Sequence, residues 1–168
     1  RTSGNSLHMI DSSAGDANKK FMMGEFEAEF PIDFQYAKNH MWAIVSPEDP
    51  TLIRFGFAAY AVRLLQDVYF LDWLLDAPSK ILAGQEIGSI ESKKAESALF
   101  APCEGELVRF NAALMEDPSS INVDKYGAGW LFEMQKDDFI FLNVDEYVDL
   151  LDSVWAKTQR TIKGQVNE

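Results

Sequence analysis

The residues with the clearest chemical potential are Ile90-Glu91-Ser92-Lys93-Lys94-Ala95-Glu96-Ser97, which read as the tip of a β-hairpin bearing two lysines. A lysine on an exposed tight turn is open to acylation, and the turn presents it rigidly to the acylating enzyme. Such a lysine can carry a swinging prosthetic group, with the chemistry supplied by the group and the presentation by the protein. Glu91, three residues before Lys94, offers the modifying enzyme a fixed charge. Gly105, eleven residues after Lys94, marks a point where a neighbouring strand or turn needs close backbone approach. Taken alone, a Lys-Lys turn is in most proteins only a solvated basic surface.

Other candidates are weaker. His40 could serve as a base or ligand, but a single neutral histidine between Asn39 and Met41 reads as a hydrogen-bonded structural residue. Cys103 is the only cysteine, which excludes an intrachain disulfide and is compatible with a reducing compartment. With no partner histidine evident, it reads as a small buried residue or an inert thiol. The glycines of Tyr126-Gly127-Ala128-Gly129-Trp130 lack the spacing and the basic residue of a phosphate loop, so a turn is expected. Asp137-Asp138 and Asp145-Glu146 read as solvated faces or as helix-start charges favoured by the dipole. No His/Cys/carboxylate group has metal-ligand spacing, and no acid/base or nucleophile constellation points to a free-standing enzyme.

The elements that must hold such a turn are mostly strands. Short apolar segments at 42–45, 52–57, 68–71, 86–90, 99–101, 106–110 and 130–134 are punctuated by Gly84, Gly88, Gly105, Gly127 and Gly129. Many short strands with Gly/Pro turns predict a sandwich or barrel. Two helices interrupt them. Residues 58–66 are Ala/Leu-rich and turn-bounded. Near the C-terminus Asn143 predicts an N-cap and Glu146 a capping box, followed by the stripe Tyr147, Leu150, Leu151, Val154, Trp155 that should pack back on the β body. Residues 1–20 are rich in Ser, Gly, Asn and Asp without apolar period, and 1–24 read as a disordered tail or expression leader, leaving 25–168 as one domain.

Composition narrows the partners. The 168 residues carry 15 basic and 27 acidic side chains, a net charge of −12, which repels phosphate backbones and suits docking on basic surfaces. The apolar run at 68–75 is too short to cross a membrane and is broken by Asp72.

Several ordered motifs share one family pattern. Glu91-Ser92-Lys93-Lys94-Ala95 fits Glu-Ser-x-Lys-Ala, and Tyr36-Ala37-Lys38-Asn39-His40-Met41-Trp42 fits Tyr-x-x-x-His-x-Trp. Gly56 to Tyr60-Ala61 fits Gly-x-x-x-Tyr-Ala, and Asn111 to Leu114 fits Asn-x-x-Leu. Ala101-Pro102-Cys103-Glu104-Gly105-Glu106 fits Ser-Pro-x-x-Gly-Glu apart from Ala101, and Tyr126 to Leu131 fits Tyr-Gly-x-Gly-Trp-Leu throughout. On these motifs, spread over residues 32–151, the chain resembles the H-protein family of the glycine cleavage system and, more distantly, other lipoyl domains.

The resemblance implies a flattened barrel-sandwich hybrid with short flanking helices, and lipoate carried covalently on Lys94. It implies a non-catalytic carrier that moves an aminomethyl group between a PLP-dependent glycine decarboxylase and an aminomethyltransferase, with dihydrolipoyl dehydrogenase as reoxidant. A lipoate ligase or lipoyl transferase would install the group, reading Glu91 and Gly105. No nucleic acid or membrane is expected as partner. A monomer is expected, in the bacterial cytoplasm or, in a eukaryote, the mitochondrial matrix. The alternatives are a lipoate carrier in sulfur oxidation beside a heterodisulfide-reductase-like complex, a lipoate-relay carrier, and an unmodified partner-binding module. Biotin carriage fits poorly, because biotin lysines usually sit between methionines. The chain also departs from the pattern. Met41 stands for the usual Glu, Ala58-Ala59 for Thr-Asp, Leu64 for a polar residue before Leu-Gly, and Ala98 for a frequent Asp. The resemblance therefore implies a resting cleft for the arm that Met41, Leu64 and Ala98 line with apolar groups.

Overall fold

The computed structural model describes residues 18–135 and 140–167. Asp137 and Asp138, expected on a solvated face, lie outside the described residues, as do residues 1–17 of the expected tail. The described strands are β1 Asn18–Met23, β2 Phe26–Pro31, β3 Gln35–Tyr36, β4 Met41–Val45, β5 Ile53–Phe57, β6 Val68–Trp73, β7 Ser79–Ile81, β8 Glu86–Ser92, β9 Glu96–Phe100, β10 Gly105–Phe110 and β11 Phe132–Gln135. The helices are α1 Ala59–Leu65, α2 Ala113–Glu116, α3 Ser120–Val123 and α4 Val144–Asn167. Packing divides the chain into two compact units, one from Gln35 to Leu142 and the other from the segments on either side of it.

In the flanking unit, β1 and β2 form an antiparallel hairpin turned at Gly24, whose φ of 66° suits a residue without Cβ. This corrects the reading of residues 18–24 as a tail. Phe21 and Met23 are buried while Lys20 and Met22 are exposed, a two-residue alternation that follows a polar stretch of sequence. Helix α4 begins with the expected reciprocal cap. The Glu146 N–H donates to Asn143 Oδ1 and the Asn143 N–H to Glu146 Oε1, each at 2.9 Å. Of the expected stripe, Tyr147 and Leu151 are fully buried and Leu150, Val154 and Trp155 half-buried; Val144 and Val148 widen the buried face. Tyr147 packs edge-on to Phe30 at 5.3 Å, so this helix covers the hairpin of its own unit.

The central unit holds a six-stranded sheet, β3-β4-β5-β11-β10-β7, and a three-stranded sheet, β6-β8-β9, with antiparallel pairing throughout. Phe55, Ile87, Ile90, Leu107, Leu131 and Phe132 are at most 1% exposed in one shared core. Burying side chains of this size contributes about 1.5–3 kcal/mol each before conformational entropy is subtracted. The expected mostly-β, barrel-sandwich architecture is what the chain forms. The short elements β7, α2 and α3 were not anticipated, being too brief to show a hydrophobic period.

Glu133, fully buried on β11, accepts from Arg54 Nε at 2.8 Å and Arg109 Nε at 2.6 Å, which ties β5, β11 and β10 together. Burial alone would raise its pKa. Hydrogen bonds from Ser46, Arg109 and Arg54 outweigh that and hold it below the usual carboxylate range.

Candidate functional site

The lysine turn joins β8 to β9, where Glu91 pairs with Glu96 in register. Its organiser is Ser92, only 4% exposed. The Ser92 hydroxyl donates to Ala95 O at 3.1 Å and lies 3.3 Å from the N–H groups of Lys94 and Ala95, while the Ser92 N–H donates to Ala95 O at 2.9 Å. One small hydroxyl thus satisfies the inside of the turn, and Lys93 and Lys94 are left exposed. The sequence reading missed this role. A serine two or three residues before the backbone groups it binds is a turn signal in its own right.

The two lysines differ at the backbone. The Lys93 N–H extends the β6–β8 ladder by donating to Asp67 O at 2.8 Å, so Lys93 is anchored to the neighbouring loop. The Lys94 N–H points into the turn, toward Ser92. Lys94 therefore sits one residue beyond the anchored position.

Behind the turn stands the loop that leaves α1. Ala58 precedes α1 without a side-chain cap, and Tyr126 supplies the missing acceptor, its phenolic oxygen receiving the Ala59 N–H at 2.9 Å. At the other end α1 stops at Gln66, with φ 62° and ψ −146°, a conformation that favours glycine. The Asn122 side chain then brackets the loop, donating to Gln66 O at 2.7 Å and accepting from the Val68 N–H at 2.9 Å.

The same stretch ties its own glycine turn. Asp124 Oδ2 accepts from the Ala128 N–H at 2.8 Å, and Asn111 donates to Ala128 O and Trp130 O. A Cβ on Gly129 would press on the backbone of Ser120 and Ile121 at 2.5–2.9 Å. These glycines form a close-packed turn, as expected.

Glu91 is half-buried on β8, directly opposite Phe70 and Glu96. Gly105 opens β10 opposite Ile81, at φ 150°, in the other sheet. Strand β9 leads away from the turn before the chain reaches it, so Gly105 belongs to the far end of the hairpin. His40 has φ 72° and stacks on Tyr60 at 4.7 Å, and burial depresses its pKa to about 4. That fits the expected structural histidine. Cys103 is buried, 3.9 Å from Met134 Sδ, in keeping with a packed thiol.

Met41, Leu64 and Ala98 do not share an open cleft. Met41 is 1% exposed and lies in the core opposite Phe57, whereas Leu64 is 46% exposed and Ala98 is also on the surface. The physical reason is that this end of β4 has no surface face: Met41 and Ala43 lie in the shared core, and Trp42 between them is fully buried as well.

Residues 34–158 match the family model for the glycine cleavage H-protein. The chain is 38% identical over 126 residues to a glycine cleavage system H protein of Pseudoalteromonas atlantica, covering 75% of this chain and 92% of that protein. It is 39% identical over 124 residues to one of Psychrobacter cryohalolentis, covering 71% and 96%. A crystal structure of a glycine cleavage system H protein from Mycobacterium marinum is similar with a TM-score of 0.62 at 35% identity, covering 71% of this chain and 97% of that one.

Proposed function

The chain belongs to the glycine cleavage H-protein family, and from that membership we propose that it is a lipoyl carrier whose prosthetic group is attached at Lys94. The observation that carries this is the lysine turn: an exposed Lys94 one residue past an anchored backbone, on a turn closed from inside by Ser92. Exposure alone does not separate Lys94 from Lys93. The Glu91-to-Ala95 motif favours Lys94, which stands where the resembled Glu-Ser-x-Lys-Ala pattern has its modified lysine.

The residues present fit a lipoyl group. An amide at Lys94 Nζ would leave the turn's hydrogen bonds untouched, since they use only backbone groups and Ser92. When attached, lipoate would supply a dithiolane whose S–S bond opens on taking up an aminomethyl group, leaving after the group's departure a dithiol that dihydrolipoyl dehydrogenase would oxidise back. The chain's own residues hold and present. Ser92 fixes the turn, and Asp67 O anchors Lys93. Glu91 offers a carboxylate beside the turn to a lipoate ligase or lipoyl transferase, and Gly105 acts at a distance through backbone conformation. The protein itself is not an enzyme in this reading. Its working partners are a PLP-dependent glycine decarboxylase, an aminomethyltransferase and dihydrolipoyl dehydrogenase, and its acidic net charge of −12 suits docking to basic surfaces on them. Among the described residues no helix is long and apolar enough to cross a membrane.

A second reading keeps the carrier and changes the pathway, to sulfur oxidation or lipoate relay. It is favoured by Leu64 and Ala98, which are apolar and exposed where the family pattern has polar groups. Glycine–bicarbonate exchange with glycine decarboxylase separates the two: ordinary exchange supports glycine cleavage, and loss of exchange with normal reduction by dihydrolipoyl dehydrogenase supports the other.

Attachment is tested by incubating the protein with a lipoate ligase, lipoate and ATP, followed by intact mass and peptide mapping. One lipoyl group on Lys94 is expected. Modification confined to Lys93, or complete modification of the Lys94→Arg variant, overturns the assignment.

A further inference from the structure

We propose that Asn122, 28 residues beyond the lysine in sequence, is a positioning residue for modification at Lys94, acting through the Gln66–Val68 loop. This rests on the reading of Lys94 as the attachment site.

The geometry forms a continuous relay. Asn122 donates to Gln66 O at 2.7 Å and accepts from the Val68 N–H at 2.9 Å, so both faces of its amide are engaged across one loop. Between those contacts lies Asp67, whose carbonyl accepts the Lys93 N–H at 2.8 Å. Lys93 is the residue before Lys94, and its anchoring sets where the turn begins. The register of β6 and β8 is irregular here, with a bulge between Val68 and Phe70, so the regular ladder does not fix the loop by itself. Gln66 adds to the need for a clamp. A non-glycine residue at φ 62° and ψ −146° is held there only when its surroundings enforce it.

Asn122 is itself well placed to clamp. It sits in α3, beside Ile121, which is fully buried. The Val123 and Asp124 N–H groups bond back to Ser119 and Ser120. Asp124 and Tyr126 in the same segment hold the glycine turn and the start of α1. One short segment therefore grips α1 at both ends, with Tyr126 at its start and Asn122 at its exit. The exit grip is the one that reaches the lysine turn.

The functional consequence concerns population. A ligase that reads the turn's shape binds only the fraction of molecules in which Asp67 and Lys93 are paired. A smaller fraction raises the apparent KM for the carrier in inverse proportion, while turnover of the bound complex is unchanged. General loss of stability does not do this, because well below Tm the folded fraction stays near unity.

The test uses the full chain with a lipoate ligase, lipoate and ATP. Initial rates are measured against carrier concentration, and the Lys93 amide is followed by hydrogen exchange. Asn122→Ala removes both contacts and should raise KM for the carrier about tenfold, with kcat within about twofold. The Lys93 amide should exchange correspondingly faster. Asn122→Asp keeps the acceptor for Val68 but sets an anionic oxygen against Gln66 O where the donor was, so its KM should rise at least as far as that of Asn122→Ala, and it serves if the alanine variant does not fold. Asn143→Ala, which removes the α4 cap in the other unit, should lower Tm and leave KM and Lys93 exchange unchanged. Wild-type KM and exchange in both Asn122 variants overturn the proposal, as does an equal KM rise in Asn143→Ala. If wild type is not lipoylated on Lys94, the functional reading fails, and Lys93 exchange in the unmodified protein still decides whether Asn122 holds the turn.

Discussion

Gln66→Gly should stabilise this protein. Gln66 ends α1 at φ 62° and ψ −146°, where an L side chain clashes with its own backbone and glycine does not. A residue held in such a region stores about 1–3 kcal/mol. Against that relief, glycine adds about 0.5–1 kcal/mol of unfolded-state entropy. The balance is a gain of about 1 kcal/mol. Its contacts survive, because the Gln66 N–H still donates to Val62 O and Gln66 O still accepts from Asn122. Both are backbone groups of residue 66. A gain of that size raises Tm by about 2–4 °C in a chain of this length. Urea unfolding should show a higher midpoint with an unchanged slope. His40 gives the contrast. It too has positive φ, at 72°, but its ring stacks on Tyr60 at 4.7 Å, so His40→Gly removes packing along with strain and should not stabilise. A fall or no change in the urea midpoint of Gln66→Gly refutes the strain argument.

Ser92→Ala should cost about 1–2 kcal/mol, because one hydroxyl serves three backbone groups of the turn, and it should slow lipoylation more than Glu91→Ala does; urea unfolding and ligase initial rates measure the two effects. For His40, burial lowers the folded pKa to about 4 from 6.5, so the unfolded chain binds the proton first and stability is lost as pH falls from about 6.5 toward 4. The loss is at most about 3.5 kcal/mol. His40→Asn, which tolerates the same positive φ, should flatten the urea-midpoint profile between pH 7 and 5, and an unchanged profile refutes the assignment. Met41→Glu, which the family pattern would suggest as a simple restoration, should instead destabilise by about 3 kcal/mol or more, because Met41 is 1% exposed in the core; a wild-type Tm for that variant would place the side chain elsewhere.

Much of this was legible in the residues. The α4 cap was readable because Asn143 and Glu146 are local partners three residues apart, and local partners leave a mark in sequence. The lysine turn was readable for the same reason. Strands β4, β5, β6, β8, β10 and β11 follow apolar segments bounded by glycine or polar turns. What escaped was of two kinds. Some elements were too short to show a period, such as β7 and α3, or followed a polar stretch of sequence, as β1 does. Others depend on contacts between distant residues. Nothing in the spacing of Gln66, Asp67, Lys93 and Asn122 announces that they meet, and the bracketing amide lies on a four-residue helix with no periodicity.

The same distinction explains where the reading of Met41 went astray. Pattern matching placed a core position and two surface positions in one cleft because sequence motifs do not state which side of a strand a residue occupies. Met41 shares its face with Ala43, both in the core, and its neighbour in the ladder is Phe57. Replacement of a polar residue by methionine at that point is therefore first a packing event, linking β4 to β5. Ala98 lies across from Ser89 on the lysine-bearing sheet and is exposed. Of the three positions, only Ala98 and Leu64 lie at the surface, within reach of a group carried on the lysine turn's hairpin. Ala98→Asp alone, which adds a carboxylate on the same hairpin as Lys94 without disturbing the core, is the substitution that separates arm chemistry from packing. It should leave Tm within about 1 °C, since exposed substitutions shift stability by about 0.5 kcal/mol or less. Any change it makes in glycine–bicarbonate exchange can then be read as an effect on the arm, and a large fall in Tm would show that residue 98 belongs to the packing as well.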